Sequence, residues 1–110
     1  MPWTQEKFFA FSKEMHEKAH QITLIKNKDY SPNENPFSNF EKLKDRFGDN
    51  WPRKLLASRI QEKADRLVND AVIDRSKENS EAEDNDYLDC ANYCIMALAY
   101  KKSQQDDINV

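Results

Sequence analysis

DYLDCANYCIMALAY, residues 86–100, decides how this chain folds. Its later part, from Ala91 to Tyr100, is apolar at almost every angle around a helix, and such a helix belongs at the centre of a bundle. The run YCIMALAY (93–100) is far too short to span a bilayer. The opening residues are of another kind. Asp86 and Asp89 lie three apart, on one helical face, and lead directly into the most apolar segment of the protein. A carboxylate carried towards a core needs a partner or a metal.

Working outward, the other segments read as helices too. The 110 residues hold one glycine, Gly48, and no run alternates polar and apolar residues at period two, so the chain is expected to be all-α. Phe8, Phe11, Met15, Ala19, Ile22 and Ile25 recur at three and four and predict a first helix from about Thr4 to Lys28. The Ser31-Pro32 and Asn35-Pro36 pairs close it, because a residue before proline is pushed out of helical geometry. Ser38 and Glu41 match a capping box for a short second helix carrying Phe40, Leu43 and Phe47, which Gly48 ends. Asn50 or Trp51 opens a third helix, with Pro52 in its first turn and Leu56, Ile60, Ala64 and Leu67 as its stripe, to about Val72. The fourth starts at Ser80, where Ser80 and Glu83 again match a capping box, and runs to about Lys102. The expectation is a single compact domain, residues 1–102, of about four helices, followed by a frayed tail at 103–110.

Hydrophobic residues make up 38% and charged residues 34% of the chain. The core must therefore be lean, and self-association as a homodimer or larger would supplement it. Net charge is −3 and the pI near 5.4. That balance argues against broad nucleic-acid or membrane-surface binding. No basic-then-apolar leader opens the sequence, and Cys90 and Cys94, four apart in one helix, are poorly placed for a disulfide. A cytoplasmic protein with reduced thiols is expected.

Chemistry is suggested in two places. Glu62 and Asp65 in RIQEKADRL are three apart, as Asp86 and Asp89 are; if the two faces oppose, four carboxylates converge and require Mg²⁺ or Mn²⁺. The simpler reading makes Glu62 and Asp65 a solvated face, since they fall opposite Leu56, Ile60 and Leu67, and gives Asp86 helix-dipole duty. Arg59, Lys63 and Arg66, at i, i+4 and i+7, form a basic stripe suited to phosphate or to intrahelical pairing. The second place is KNKDYSPNENPFSNF (26–40), longer than a helix reversal needs. Here Lys26 and Lys28 suit phosphate, Asn33, Asn35 or Asn39 a base edge, and Tyr30, Phe37 or Phe40 a base face. Against that, the phenylalanines also suit stapling the loop to the core, Asn39 an early helical position, and Asp29 an ordinary helix end. Tyr93 shares the face of Asp86 and Asp89. His16 and His20 with Cys90 and Cys94 form a weaker zinc pattern.

With these motifs in place, the chain resembles the MazG and dimeric dUTPase group of all-α nucleotide pyrophosphatases. ExxD (62–65) followed by DxxD (86–89) is similar to their ExxE…ExxD signature. KNKDY, NPFSNF, RIQEKADRL and DYLDCANY resemble more closely a small set of phage and bacterial nucleotide-modification-associated or MazG-like proteins, over residues 22–100. The resemblance implies Mg²⁺- or Mn²⁺-dependent cleavage of a nucleoside triphosphate to the monophosphate and pyrophosphate. Glu62, Asp65, Asp86 and Asp89 would be the metal carboxylates, with Glu62 and Asp86 catalytic. Lys26, Asp29, Tyr30, Asn33, Asn39, Lys63, Arg66 and Tyr93 would meet the substrate. Asp stands at positions 65 and 86 where the pattern has Glu, and Asn85 where the smaller set has Asp. Those departures favour the alternative, a nucleotide-binding sponge or a phage-encoded inhibitor that engages a host defence protein.

Overall fold

The computed structural model describes residues 2–30, 35–72 and 80–108, and of residues 28–30, 80, 107 and 108 the backbone alone. The described residues form four helices and no strand: α1 (Gln5–Tyr30), α2 (Ser38–Phe47), α3 (Trp51–Val72) and α4 (Ser80–Ile108). The all-α expectation is met. α3 and α4 pack along one another most extensively, α1 lies against α4, and α2 against α3. No helix among the described residues is long and apolar enough to cross a membrane.

Several helix ends have a local cause. Thr4 Oγ1 accepts the Lys7 amide at 3.1 Å, a side-chain cap for α1. The Ser38–Glu41 capping box does not form, because Ser38 is already helical and Phe37 holds the N-cap position. Asn35 does the work instead. Its Oδ1 accepts the Phe37 amide (2.9 Å) and its Nδ2 donates to Glu41 Oε1 (3.1 Å), so an Asx turn sets the start of α2. Gly48 ends α2 as expected: at φ +110° it has a backbone that other residues rarely adopt, and its amide donates to the Lys44 carbonyl at 2.9 Å. Pro52, in the first turn of α3, is the largest fully buried side chain. The Ser80–Glu83 box falls outside the described residues, since it rests on the Ser80 side chain. α4 continues past Lys102 to Ile108, helped by an i,i+4 pair between Lys102 and Asp106 (3.1 Å).

The core is as lean as the composition implies. Among the described residues, the buried apolar side chains are Ala19, Leu56, Leu88 and Tyr100, besides Pro52. Phe37 meets the Tyr100 ring edge-on at 5.6 Å and Phe40 does so at 5.5 Å. The two rings staple the start of α2 to α4. The α1 stripe is buried only at its middle: Ala19 is enclosed, whereas Phe8, Phe11 and Ile25 are exposed. α4 also departs from expectation. It is central in its contacts but not covered all round, and Tyr87, Ile95 and Leu98 stand exposed. Among the described residues it is α3 and, less extensively, α1 that pack along α4, so one side of it stays open.

Candidate functional site

Where α1, α2, α3 and α4 meet, they enclose a cleft of about 280 Å³. α1 contributes Thr23, Lys26 and Asn27, spaced at i, i+3 and i+4. α4 contributes Asp89, Asn92, Tyr93 and Met96, at i, i+3, i+4 and i+7. Leu55, Leu56 and Arg59 come from α3, Asn39 and Phe40 from the start of α2, and Pro36 from just before it. The walls therefore divide by chemistry. Phe40, Leu55, Leu56, Tyr93 and Met96 make an apolar bed; Lys26 and Arg59 supply positive charge and Asp89 a negative one; Asn27, Asn39 and Asn92 supply amides.

The bed is held in register from beneath. Asn92 Nδ2 donates to the Ala19 carbonyl at 3.0 Å, and Thr23 Oγ1 donates to the same oxygen at 3.2 Å. That tether fixes α1 against α4 close to the point where the Lys26 ammonium reaches Asp89 Oδ1 (3.2 Å). Asn92 and Tyr93 both line the cleft, and the Asn92 amide is committed to the Ala19 carbonyl.

The two acidic pairs have separate surroundings. Asp86 and Asp89 are mostly buried, with side chains 13% and 16% exposed, and they face the basic stripe of α3. Lys63, itself mostly buried, places its ammonium 3.6 Å from Asp86 and 3.2 Å from Asp89, and Arg66 reaches Asp86 at 3.0 Å. Lys63 and Arg66 thus pair across to α4, and only Arg59 pairs within its own helix, to Glu62 at 3.4 Å. Glu62 and Asp65 do not join Asp86 and Asp89. Glu62 is exposed beside Arg59, and Asp65 is exposed, accepting from Gln61 Nε2 at 2.8 Å. The reason is electrostatic: α3 turns its cationic face to the α4 carboxylates, and the neighbouring acidic face is left to solvent.

The residues therefore do not fit the four-carboxylate metal centre within this chain. Among the described residues no three of His, Cys, Asp and Glu converge on a common point, which also leaves the histidine–cysteine zinc pattern without a site. Of the substrate-side residues read from sequence, Lys26, Asn39 and Tyr93 line the cleft, while Lys63 and Arg66 support Asp86 and Asp89 beside it. The side chains of Asp29 and Tyr30, and all of Asn33, lie outside the described residues. Thr23, Asn27, Arg59 and Met96 also line it. Of these, only Arg59 carries a phosphate-type signal in the sequence, as the first residue of the basic stripe. Helical spacing marks the others: Thr23 lies one turn before Lys26, Asn27 one turn after Thr23, and Met96 two turns after Asp89.

Compared with protein-family models, with curated proteins and with solved structures, the chain finds no match.

Proposed function

We propose that the cleft binds a nucleoside phosphate. The observation that carries this reading is the lining itself: two cations, three amides, two aromatic rings and one carboxylate, Asp89, which Lys26 and Lys63 already pair, share one small cavity. Lys26 and Arg59 are each about half exposed, so both remain available to an incoming anion. The Arg59–Glu62 pair is surface-exposed and long. Such pairs contribute roughly 0–1 kcal/mol, and a phosphate displaces the carboxylate at little cost. Among the described residues, Lys26, Lys63 and Arg66 pair with Asp86 and Asp89 alone, three cations to two carboxylates at the α1–α3–α4 junction. Phe40 and Tyr93 offer faces for a base, and Asn27 and Asn39 carry the donor–acceptor pairs that read a base edge.

Binding without turnover, the activity of a nucleotide-sequestering protein, is what this lining supports. The resemblance adds an expectation of Mg²⁺-dependent pyrophosphate release, for which Glu62 and Asp65 stand on the wrong side of α3 in a single chain. Calorimetry with nucleoside mono-, di- and triphosphates, run with and without Mg²⁺ or Mn²⁺ and followed by a pyrophosphate assay, tests both readings. Saturable binding that weakens in Lys26→Ala and in Arg59→Ala supports the nucleotide site, and heat-silent titrations across the panel overturn it. Metal-dependent pyrophosphate release that is lost in Asp89→Asn adds the hydrolase.

A further inference from the structure

We infer that the outward face of α4 is a self-association seam, on which a second copy of this chain packs antiparallel through its own α4. The face is defined by spacing and exposure together. Asp84, Tyr87, Ala91, Cys94, Leu98 and Lys101 follow one another at intervals of three, four, three, four and three, the repeat of a two-helix seam. All six are exposed, Tyr87 at 56% and Leu98 at 66%, with exposed Ile95 alongside. They lie on the side of α4 opposite Asp89, Tyr93, Met96 and Tyr100, so none of the described residues packed against α4 covers them. Side chains this apolar, gathered on one face of a helix, mark an interaction surface.

The order of residues along the seam selects both occupant and direction. In an antiparallel pair the layers are Asp84 with Lys101 of the second copy, Tyr87 with Leu98, and Ala91 with Cys94, each repeated across the two-fold axis. The two smallest side chains meet at the centre, where close approach is needed. The largest ring meets a leucine, and opposite charges close both ends. A parallel pair would instead set Asp84 against Asp84 and Lys101 against Lys101. Neither Asp84 nor Lys101 has an ion-pair partner among the described residues, so both are available for this match. A seam that reads the same from either chain is a homodimer contact.

Sedimentation velocity at micromolar concentration tests the seam. The expected species is twice the 13.0 kDa chain mass. Leu98→Glu should yield a folded monomer, checked by circular dichroism. Asp84→Lys should weaken the dimer at least tenfold, and Asp84→Lys with Lys101→Asp should restore it, which only the antiparallel register allows. Cys94 should resist alkylation in the wild-type dimer and react in Leu98→Glu. The cleft lies on the other side of α4, so nucleotide binding should persist in all of these variants. A monomeric wild-type protein, or a dimer indifferent to both Leu98→Glu and Asp84→Lys, overturns the seam whatever the cleft binds.

Discussion

The Lys63 ammonium lies 3.2 Å from Asp89 Oδ2 while Lys26 holds Asp89 Oδ1 at the same distance, so one carboxylate takes a cation from α3 on one oxygen and from α1 on the other. Asp89 thereby joins three helices and forms part of the cleft wall. Lys63 is the less replaceable of its two partners, being mostly buried and shared with Asp86. Lys63→Met should destabilise the fold by about 1–3 kcal/mol, because it leaves two neighbouring carboxylates without their common counterion. Urea denaturation measures this. Adding Asp89→Asn should recover part of the loss, and a double mutant as unstable as the sum of the singles would argue against the coupling.

Arg59 and Glu62 separate the cleft reading from the metal reading. Arg59→Ala should leave stability within about 0.5 kcal/mol of wild type, since the residue is half exposed. Nucleotide affinity should fall about tenfold through loss of a charge-assisted hydrogen bond. Glu62→Gln should leave binding intact or tighten it, because it frees the guanidinium. A large loss of binding in Glu62→Gln, measured by calorimetry in the presence of Mg²⁺, would instead make Glu62 a ligand-side carboxylate.

The number of helices, Gly48 as a stop, Pro52 at the start of α3 and the solvated face of Glu62 and Asp65 all follow from single-helix rules, which a sequence carries in full. Relations between helices are another matter. The wheel of α3 shows an acidic and a basic stripe side by side, but not which one α4 will face. The charge on α4 decides that: Asp86 and Asp89 draw Lys63 and Arg66 across and leave Glu62 outward. The uniform apolarity from Ala91 to Tyr100 likewise predicts burial without saying what buries it. The described helices cover one side of α4, and the exposed remainder is a property of the single chain.

Gly48 offers a prediction that isolates backbone from packing. A Cβ built there meets nothing within 4 Å, so Gly48→Ala introduces no clash. The residue nevertheless sits at φ +110°, ψ 165°, a region that is costly for any side chain. Gly48→Ala should therefore lower stability by about 1–3 kcal/mol, seen as a reduced melting temperature, while leaving nucleotide affinity unchanged. If the variant melts with the wild type, the turn between α2 and α3 has another conformation available.

Asn92 links fold to site through its donation to the Ala19 carbonyl. Asn92→Ala should cost about 1 kcal/mol for the lost hydrogen bond. The more telling readout is local. With the tether gone, hydrogen exchange should accelerate in α1 near Ala19 while α3 remains protected. Nucleotide affinity should drop although Asn92 itself is committed to the backbone, because Lys26 hangs on the segment released. Unchanged exchange in α1 would show that the Lys26–Asp89 pair alone is enough to seat the helix.

Cys90 supplies the pH dependence. Burial, reinforced by the neighbouring Cys94 thiol, pushes the Cys90 thiol up from its ordinary value of 9.0, so the folded state resists forming the thiolate. The sign follows from linkage. The contribution to stability is fully present below the unfolded-state value and is lost as pH rises through the higher folded-state value, so it fades only in alkaline solution. Alkylation should report the same ordering, since the thiolate is the reactive form. In the monomeric Leu98→Glu variant, iodoacetamide at neutral pH should label exposed Cys94 well before Cys90, and the gap should narrow as the pH rises above 9.0. Equal labelling rates at neutral pH, resolved by mass spectrometry, would mean that Cys90 is as open to solvent as Cys94 and that α4 is less closely packed at this turn than the fold requires.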